Sequence, residues 1–345
     1  MERYIGLDVH STTCTAAVIS PTGKLLKATV IETCARALID FLRSMPRAIL
    51  VMEEGNQSDW LYEVLWAFTS DILVVQARRS SGNKNDRMDA ERLARDAHRN
   101  EPGTLIFKRP QLLTGLRQAA KTYQDTRRDL TRYRARLKLL LQSRGLHPKV
   151  KQLVDPAERA PWIAQLPEAF QPRASILGME IDALEEMKAK AKEWLFEEAK
   201  SVRAVQLLKS VPGIGEIRAP LIVAAMISAA RFRTKHQLWS YAGLAVVVRS
   251  SSDWSRKGNV LVRRQGHQLA LGLNRNRNPV LKEAFVGAAQ QISTRMPSHP
   301  LHKGYQERVA RGMKPSRARL TLARKIASIV LALWKSGEVY DPTKS

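Results

Sequence analysis

Apolar positions along this chain change their spacing twice, at about residue 110 and again at about residue 200. Over the first hundred residues, short apolar runs bounded by turn residues alternate with amphipathic stretches. Tyr4-Ile5-Gly6-Leu7 predicts a buried strand ended by Asp8, and Ala48-Ile49-Leu50-Val51-Met52 predicts another ended by Glu53. Between them, Thr13 to Ser20 and Lys24 to Ile31 are β-branched runs joined by Pro21-Thr22-Gly23, a hairpin signal. Helices are expected over residues 35–45, 58–68 and 86–98, and a further strand over 71–76. From Gln111 the period becomes that of long helices. Leu112, Leu116, Ala119, Tyr123, Leu130, Tyr133, Leu137 and Leu141 line one face, and a second helix is expected from Ala174 to Ala199. A Pro-containing stretch from Pro148 to Pro172 joins them, which predicts an antiparallel hairpin or coiled coil. The third regime opens at Leu207 and contains the apolar helix Ala219 to Ala230, then Trp239 to Ala245 and a serine-rich loop. The expected division is therefore 1–108, an arm over 109–200, a C-terminal domain over 201–338, and a tail over 339–345.

Three strands of meander followed by alternating helix and strand is the order of an α/β ribonuclease H-like (RuvC-like) domain. The expected architecture is such a domain, then a helical coiled-coil arm, then a mainly α C-terminal domain with a helix-hairpin-helix. In that order Asp8 and Glu53 end neighbouring central strands, where functional groups collect. Asp86 and Asp89 lie three apart behind Asn85, so a helix starting there presents both on one face. Four carboxylates with no Cys or His among them suit a hard ion that prefers oxygen, which points to Mg²⁺. Two such ions about 4 Å apart stabilise the attacking and leaving oxygens of phosphoryl transfer. Taken one at a time, each acid is equally well a turn cap, the partner of a nearby Arg, or a solvated helix start.

Charge then selects the partner. The 345 residues carry a formal net charge of +25. Residues 201–345 hold 25 Lys and Arg against 6 Asp and Glu, whereas residues 1–60 hold 6 against 7. A cationic surface of that size favours a polyanion through counterion release. A membrane is a poorer match, since the longest apolar stretch, Ala219 to Ala230, has twelve residues where a span needs about 20. Met1-Glu2-Arg3 runs straight into a strand with no signal peptide, so a bacterial cytoplasmic, nucleoid-associated protein is expected. Cys14 and Cys34 have no metal-type spacing and read as small hydrophobes in a reducing compartment.

Basic and glycine-rich segments supply candidate nucleic-acid contacts. Arg78, Arg79 and Lys84 frame a loop beside the acids that suits a phosphate backbone. Gly213 and Gly215, in Val211-Pro212-Gly213-Ile214-Gly215, permit a tight turn whose amides face a phosphate, the logic of a helix-hairpin-helix. Ser250, Ser251 and Ser252 precede a basic segment with Arg256, Lys257, Arg263 and Arg264, and a serine beside cations is able to attack a phosphodiester once activated. Read without a precedent, that run is equally a solvent-facing loop, and the four cations a solvated face.

Taken together, Gly6-Leu7-Asp8, Met52-Glu53-Glu54-Gly55, Asn83 to Ala90, the Val211 to Gly215 hairpin and Tyr241-Ala242-Gly243-Leu244 before a serine resemble the DEDD transposases of the insertion-sequence-one-ten family, over nearly the whole chain. The resemblance implies a DNA recombinase that excises and inserts a mobile element, with a structured noncoding bridge or seeker RNA pairing to donor and target DNA. It implies that Asp8, Glu53, Asp86 and Asp89 bind Mg²⁺, with Glu54 passed over because Glu53 follows the strand directly. A C-terminal serine would form a covalent phosphoserine intermediate, and counting from Gly243-Leu244 lands on Ser251, with Ser250 and Ser252 one step away. Here Ser252-Asp253 stands where the family frequently has a glycine directly after the serine. The resemblance further implies a homo-oligomer, a tetramer of paired dimers with composite sites. Other readings of the same residues are a hydrolytic RuvC-like junction nuclease, a non-catalytic nucleic-acid-binding protein, and a sugar-kinase-like fold opening on Gly6-Leu7-Asp8-Val9-His10-Ser11-Thr12.

Overall fold

The computed structural model describes residues 2–77, 85–106, 108, 112–249, 254–258, 260–263 and 269–344. It divides into two units, Met1–Thr114 and Gly115–Ser345.

The first unit is built on β1 (Arg3–Val9), β2 (Thr13–Ile19) and β3 (Leu25–Glu32), followed by α1 (Ala35–Arg43), β4 (Ala48–Glu53), α2 (Ser58–Leu65), β5 (Asp71–Val75) and α3 (Asp86–His98). The expected elements are present, and only α2 is shorter than its 58–68 expectation, its last turn tightening into a 3-10 helix at Trp66–Phe68. The five strands lie in the order β3-β2-β1-β4-β5. The β1–β2 and β2–β3 pairs are antiparallel, and β1–β4 and β4–β5 are parallel.

Side-chain alternation along β1 decides what faces what. Ile5 and Leu7 point into a core shared with Leu50, Met52, Ile72 and Val74, closed by Leu38 and Leu42 of α1 and by Leu61 and Leu65 of α2. The opposite face carries Tyr4 and Ile49, Val51, Leu73 and Val75, and is covered by Leu93 and Ala97 of α3. Gly6 lies on this second face. A Cβ there would overlap the Ala90 carbonyl oxygen and stand 2.7 Å from the Ala94 nitrogen, so α3 rests directly on the strand backbone.

The second unit begins with two long helices, α4 (Thr114–Gln142) and α6 (Gln171–Lys200), bridged by α5 (Pro156–Ala164). The two long helices run antiparallel: Gly115 faces Glu198, and Arg134 pairs with Glu185. Leu130, Leu137, Leu141, Ala174 and Ile181 form their common core. Arg159 is buried under this hairpin, donating to the Leu153 carbonyl at 3.1 Å and to Asp182 at 2.5 Å.

The chain continues through α7 (Arg203–Leu208), α8 (Arg218–Met226) and α9 (Lys235–Tyr241) to four short strands, β6 (Val246–Arg249), β7 (Trp254–Lys257), β8 (Val260–Arg263) and β9 (Leu269–Leu273). Three helices close it: α10 (Pro279–Arg295), α11 (Pro300–Ala310) and α12 (Pro315–Ser336). The apolar helix expected to reach Ala230 stops at Met226, because Ile227 takes φ 64 and Ser228 accepts from the Ala230 amide to start a 3-10 turn. A β-branched residue at positive φ ends a helix at an energetic cost. The strands were not anticipated either: β6 pairs with β9 and β7 with β8, both antiparallel. Their Val246-Val247-Val248 and Val260-Leu261-Val262 runs are the β-branched signal that was available for them. α12 is pinned to the rest where the Trp239 indole donates to the Arg324 carbonyl at 2.9 Å and Arg324 to the Leu244 carbonyl at 2.7 Å. Within the described residues, no helix is long and apolar enough to cross a membrane.

Candidate active site

Strand register brings the first two acids together. Leu7 is paired with Met52 across the parallel β1–β4 ladder, so Asp8 and Glu53 each stand one residue further along, at adjacent strand ends. The second pair arrives on α3, whose start is fixed by Asn85 accepting from the Arg87 amide at 3.0 Å; Asp86 and Asp89 then fall in its first turn. Because α3 sits directly over Gly6, its N-terminus lands beside the end of β1, two residues beyond that glycine.

Asp8, His10 and Asp86 form the tightest group, with ligand atoms all within 4.8 Å of one another. His10 Nε2 lies 3.3 Å from Asp8 Oδ2 and 3.4 Å from Asp86 Oδ2. Burial raises the Asp8 carboxyl above its ordinary value; His10 opposes this, and Asp86 and Asp89 add to it. Glu53 and Asp89 make a second group around Arg92, whose Nη2 lies 3.0 Å from Glu53 and 3.3 Å from Asp89. Glu54 turns instead to Lys108, at 3.3 Å, which also holds Asp59 at 2.6 Å. Asp8, His10, Ser11, Glu53, Glu54 and Gln57 line a cavity of about 380 Å³.

This donor set suits a divalent cation. Two carboxylates and an imidazole converge, and the raised Asp8 carboxyl reports clustered negative charge that a cation would relieve. The acids are not alone, contrary to the expectation from their sequence pattern, since His10 stands between Asp8 and Asp86. Imidazole broadens the metals the site accepts beyond those favoured by oxygen alone. His10 and Arg92 were both missed as site members, although signals existed. His10 follows Asp8 by the two-residue period of a strand, and Arg92 follows Asp89 by the three-residue spacing of one helix face.

The remaining candidates are distributed as follows. Arg78, Arg79, Lys84, Ser250, Ser251, Ser252 and Arg264 lie outside the described residues. Arg256 is exposed on β7, and Lys257 and Arg263 belong to the β7–β8 ribbon, their side chains outside the description. The two hairpin glycines differ. Gly213 is buried at φ +75, where a Cβ would stand 2.8 Å from the Ala288 carbonyl oxygen, and its own carbonyl accepts from Arg218 at 2.9 Å. Gly215 is exposed, with no atom within 4 Å of its Cβ position.

An acid-lined site in an α/β unit, continued by a basic and mainly helical unit, is the layout of an enzyme that acts on nucleic acid. Residues 5–144 match a DEDD family model of IS110 type described as Transposase, and residues 205–306 match the Transposase IS116/IS110/IS902 family. Both matches name the same family and together take in more than two thirds of the chain: it belongs to the IS110 family of DEDD transposases, enzymes that act on DNA in transposition and recombination of insertion sequences. No curated protein matches the chain.

Proposed function

We propose that this protein is an RNA-guided DNA recombinase that moves its element through a serine nucleophile and a carboxylate-held Mg²⁺. The observation that carries the reading is the convergence of Asp8, Glu53, Asp86 and Asp89 from two strand ends and one helix start. The strand order β3-β2-β1-β4-β5 supports a ribonuclease H-like, RuvC-like fold for the first domain, and the paired long helices support a coiled-coil arm. The Val211 to Gly215 turn serves as a helix-hairpin-helix in this reading.

Asp8 and Asp86, with His10 between them, would hold the cation, and Arg92 keeps the Glu53 and Asp89 carboxylates in place beside it. A bound divalent ion neutralises charge on phosphoryl oxygens and activates the attacking oxygen. Ser251 attacks the scissile phosphate: an Oγ–P bond forms, the bond to the leaving deoxyribose oxygen breaks, and the serine proton passes to that oxygen. The ester is retained in the protein–DNA bond, so strands can be exchanged and resealed without ATP. Arg256, Lys257, Arg263 and Arg264 add charge for the phosphates, as do Arg78, Arg79 and Lys84. A structured noncoding RNA selects donor and target DNA, and the enzyme works as a homo-oligomer.

The test is incubation of protein, candidate RNA, Mg²⁺ and labelled junction and target DNA, followed by a denaturing gel. A protease-sensitive protein–DNA adduct, lost in Ser251→Ala and in Asp8→Ala, is expected. Loss in Ser250→Ala or Ser252→Ala instead moves the nucleophile by one residue. Cleaved ends without an adduct, in the presence of bound RNA, would establish a hydrolytic nuclease.

A further inference from the structure

Helix α6 has two apolar faces, and only one of them is used. Ala174, Ile181, Leu195 and Ala199 are buried on the side that faces the rest of the unit. On the opposite side Ile176, Met179, Met187 and Trp194 are 60%, 70%, 56% and 41% exposed, and Ala183 between them is exposed as well. These five recur over 18 residues, five turns of a straight helix, and so form one stripe about 27 Å long. The stripe leaves open roughly 400 Å² of side chain, as much as the largest patch on an ordinary monomer.

Charge excludes the polyanion that the rest of the chain attracts. Residues 171–200 carry five Lys and Arg against seven Asp and Glu, in a protein whose net charge is +25. An apolar stripe on a net-negative helix repels a phosphate backbone and suits a protein surface. The order of the charges identifies which one. Glu180, Asp182, Glu185 and Glu186 precede Met187, while Lys188, Lys190 and Lys192 follow it. Two parallel copies would set like charges side by side; two antiparallel copies set each acidic half against a basic half.

We infer that the outer face of α6 is the contact with a second copy of this chain, packed antiparallel about a two-fold axis at residue 185. In that register Ile176 meets Trp194, Ala183 meets Met187, Glu180 meets Lys190 and Arg173 meets Glu197. Within the described residues Glu180 and Arg173 have no ion pair of their own, and Lys190 is satisfied only by exposed Glu186 on its own helix. A stable interface takes about 800 Å² from each partner, twice what the stripe offers, so the contact is concentration-dependent in the protein alone. It is independent of the chemistry proposed above, and a protein with no nuclease or recombinase activity would still make it.

The experiment uses nuclease-treated full-length protein carrying Cys34→Ser. Ala183→Cys with Met187→Cys should give a disulfide-linked dimer under mild oxidation, and Ala189→Cys, off the stripe, should not. Glu180→Lys alone should lower the cross-linked yield several-fold, and Glu180→Lys with Lys190→Glu should restore it at unchanged helix content. Equal cross-linking at Ala189→Cys, or failure of the double reversal to restore yield, overturns the inference. So does a protein that stays monomeric while added nucleic acid shields the thiol of the Ala183→Cys variant from maleimide.

Discussion

Replacing Gly6 with alanine tests how the acids are assembled, because it adds one methyl group at a position that touches none of them. The new Cβ would overlap the Ala90 carbonyl oxygen and stand 2.7 Å from the Ala94 nitrogen, where van der Waals contact requires about 3.6 Å. Both obstacles are helix backbone, so no side chain is able to rotate away, and α3 must retreat by about 1 Å. Overpacking of this kind costs about 1–3 kcal/mol, which in a unit of this size lowers Tm by roughly 5–15 °C. The functional consequence is larger. Asp86 and Asp89 travel with α3, so the 3.4 Å approach of His10 to Asp86 and the 3.0 Å reach of Arg92 to Glu53 both open. A displacement near 1 Å in such a constellation costs about a hundredfold in rate. The assay is thermal melting with and without Mn²⁺ or Mg²⁺, calorimetric titration of the cation, and the adduct yield. Gly55→Ala, where no atom lies within 4 Å of the Cβ position, is the matched control. A Gly6→Ala protein with the parental Tm and cation affinity would refute the claim that close approach of α3 to β1 builds the site.

Three further outcomes follow from the same structure. Arg92→Ala removes the cation that now bridges Glu53 and Asp89, so the metal-free protein should melt a few degrees lower and gain more Tm per increment of divalent ion than the parent; an unchanged metal response would show that Arg92 does not restrain those carboxylates. Asp8→Asn bears on pH: burial raises the Asp8 carboxyl in the folded state, so its contribution to stability is present at low pH and is lost as pH rises through the folded value. The asparagine variant should therefore melt higher than the parent at neutral pH without metal, while losing the adduct, and identical melting curves at neutral pH would contradict this. Gly213→Ala should destabilise the second unit by about 1–3 kcal/mol through its positive φ and the Ala288 backbone, whereas Gly215→Ala should leave the melting curve unchanged; paired melting curves decide it.

Local periodicity was enough to read most elements of the first unit. The strands ended by Asp8 and Glu53, the hairpin through Pro21-Thr22-Gly23 and the helix capped by Asn85 all follow from runs shorter than about fifteen residues, because each is stabilised mainly by the alternation within it. The two long helices were equally legible from their apolar spacing. Chain length, charge and the acids themselves already pointed to a nucleic acid and a hard cation. Tertiary structure decided the rest. Which acids meet depends on β1 lying parallel to β4 and on a glycine that lets α3 descend onto β1, and neither is encoded near Asp86. His10 and Arg92 become site members only because neighbouring elements bring carboxylates to them across 39 to 76 residues of sequence. Gly213 and Gly215 look equivalent in the sequence; one is walled in by α10 and the other faces open space, a difference created by a helix some seventy residues downstream. The outer stripe of α6 shows the same division. Its spacing is plain in the sequence, but only the packed hairpin reveals which of its two apolar faces is already covered, because burial is a property of what lies opposite.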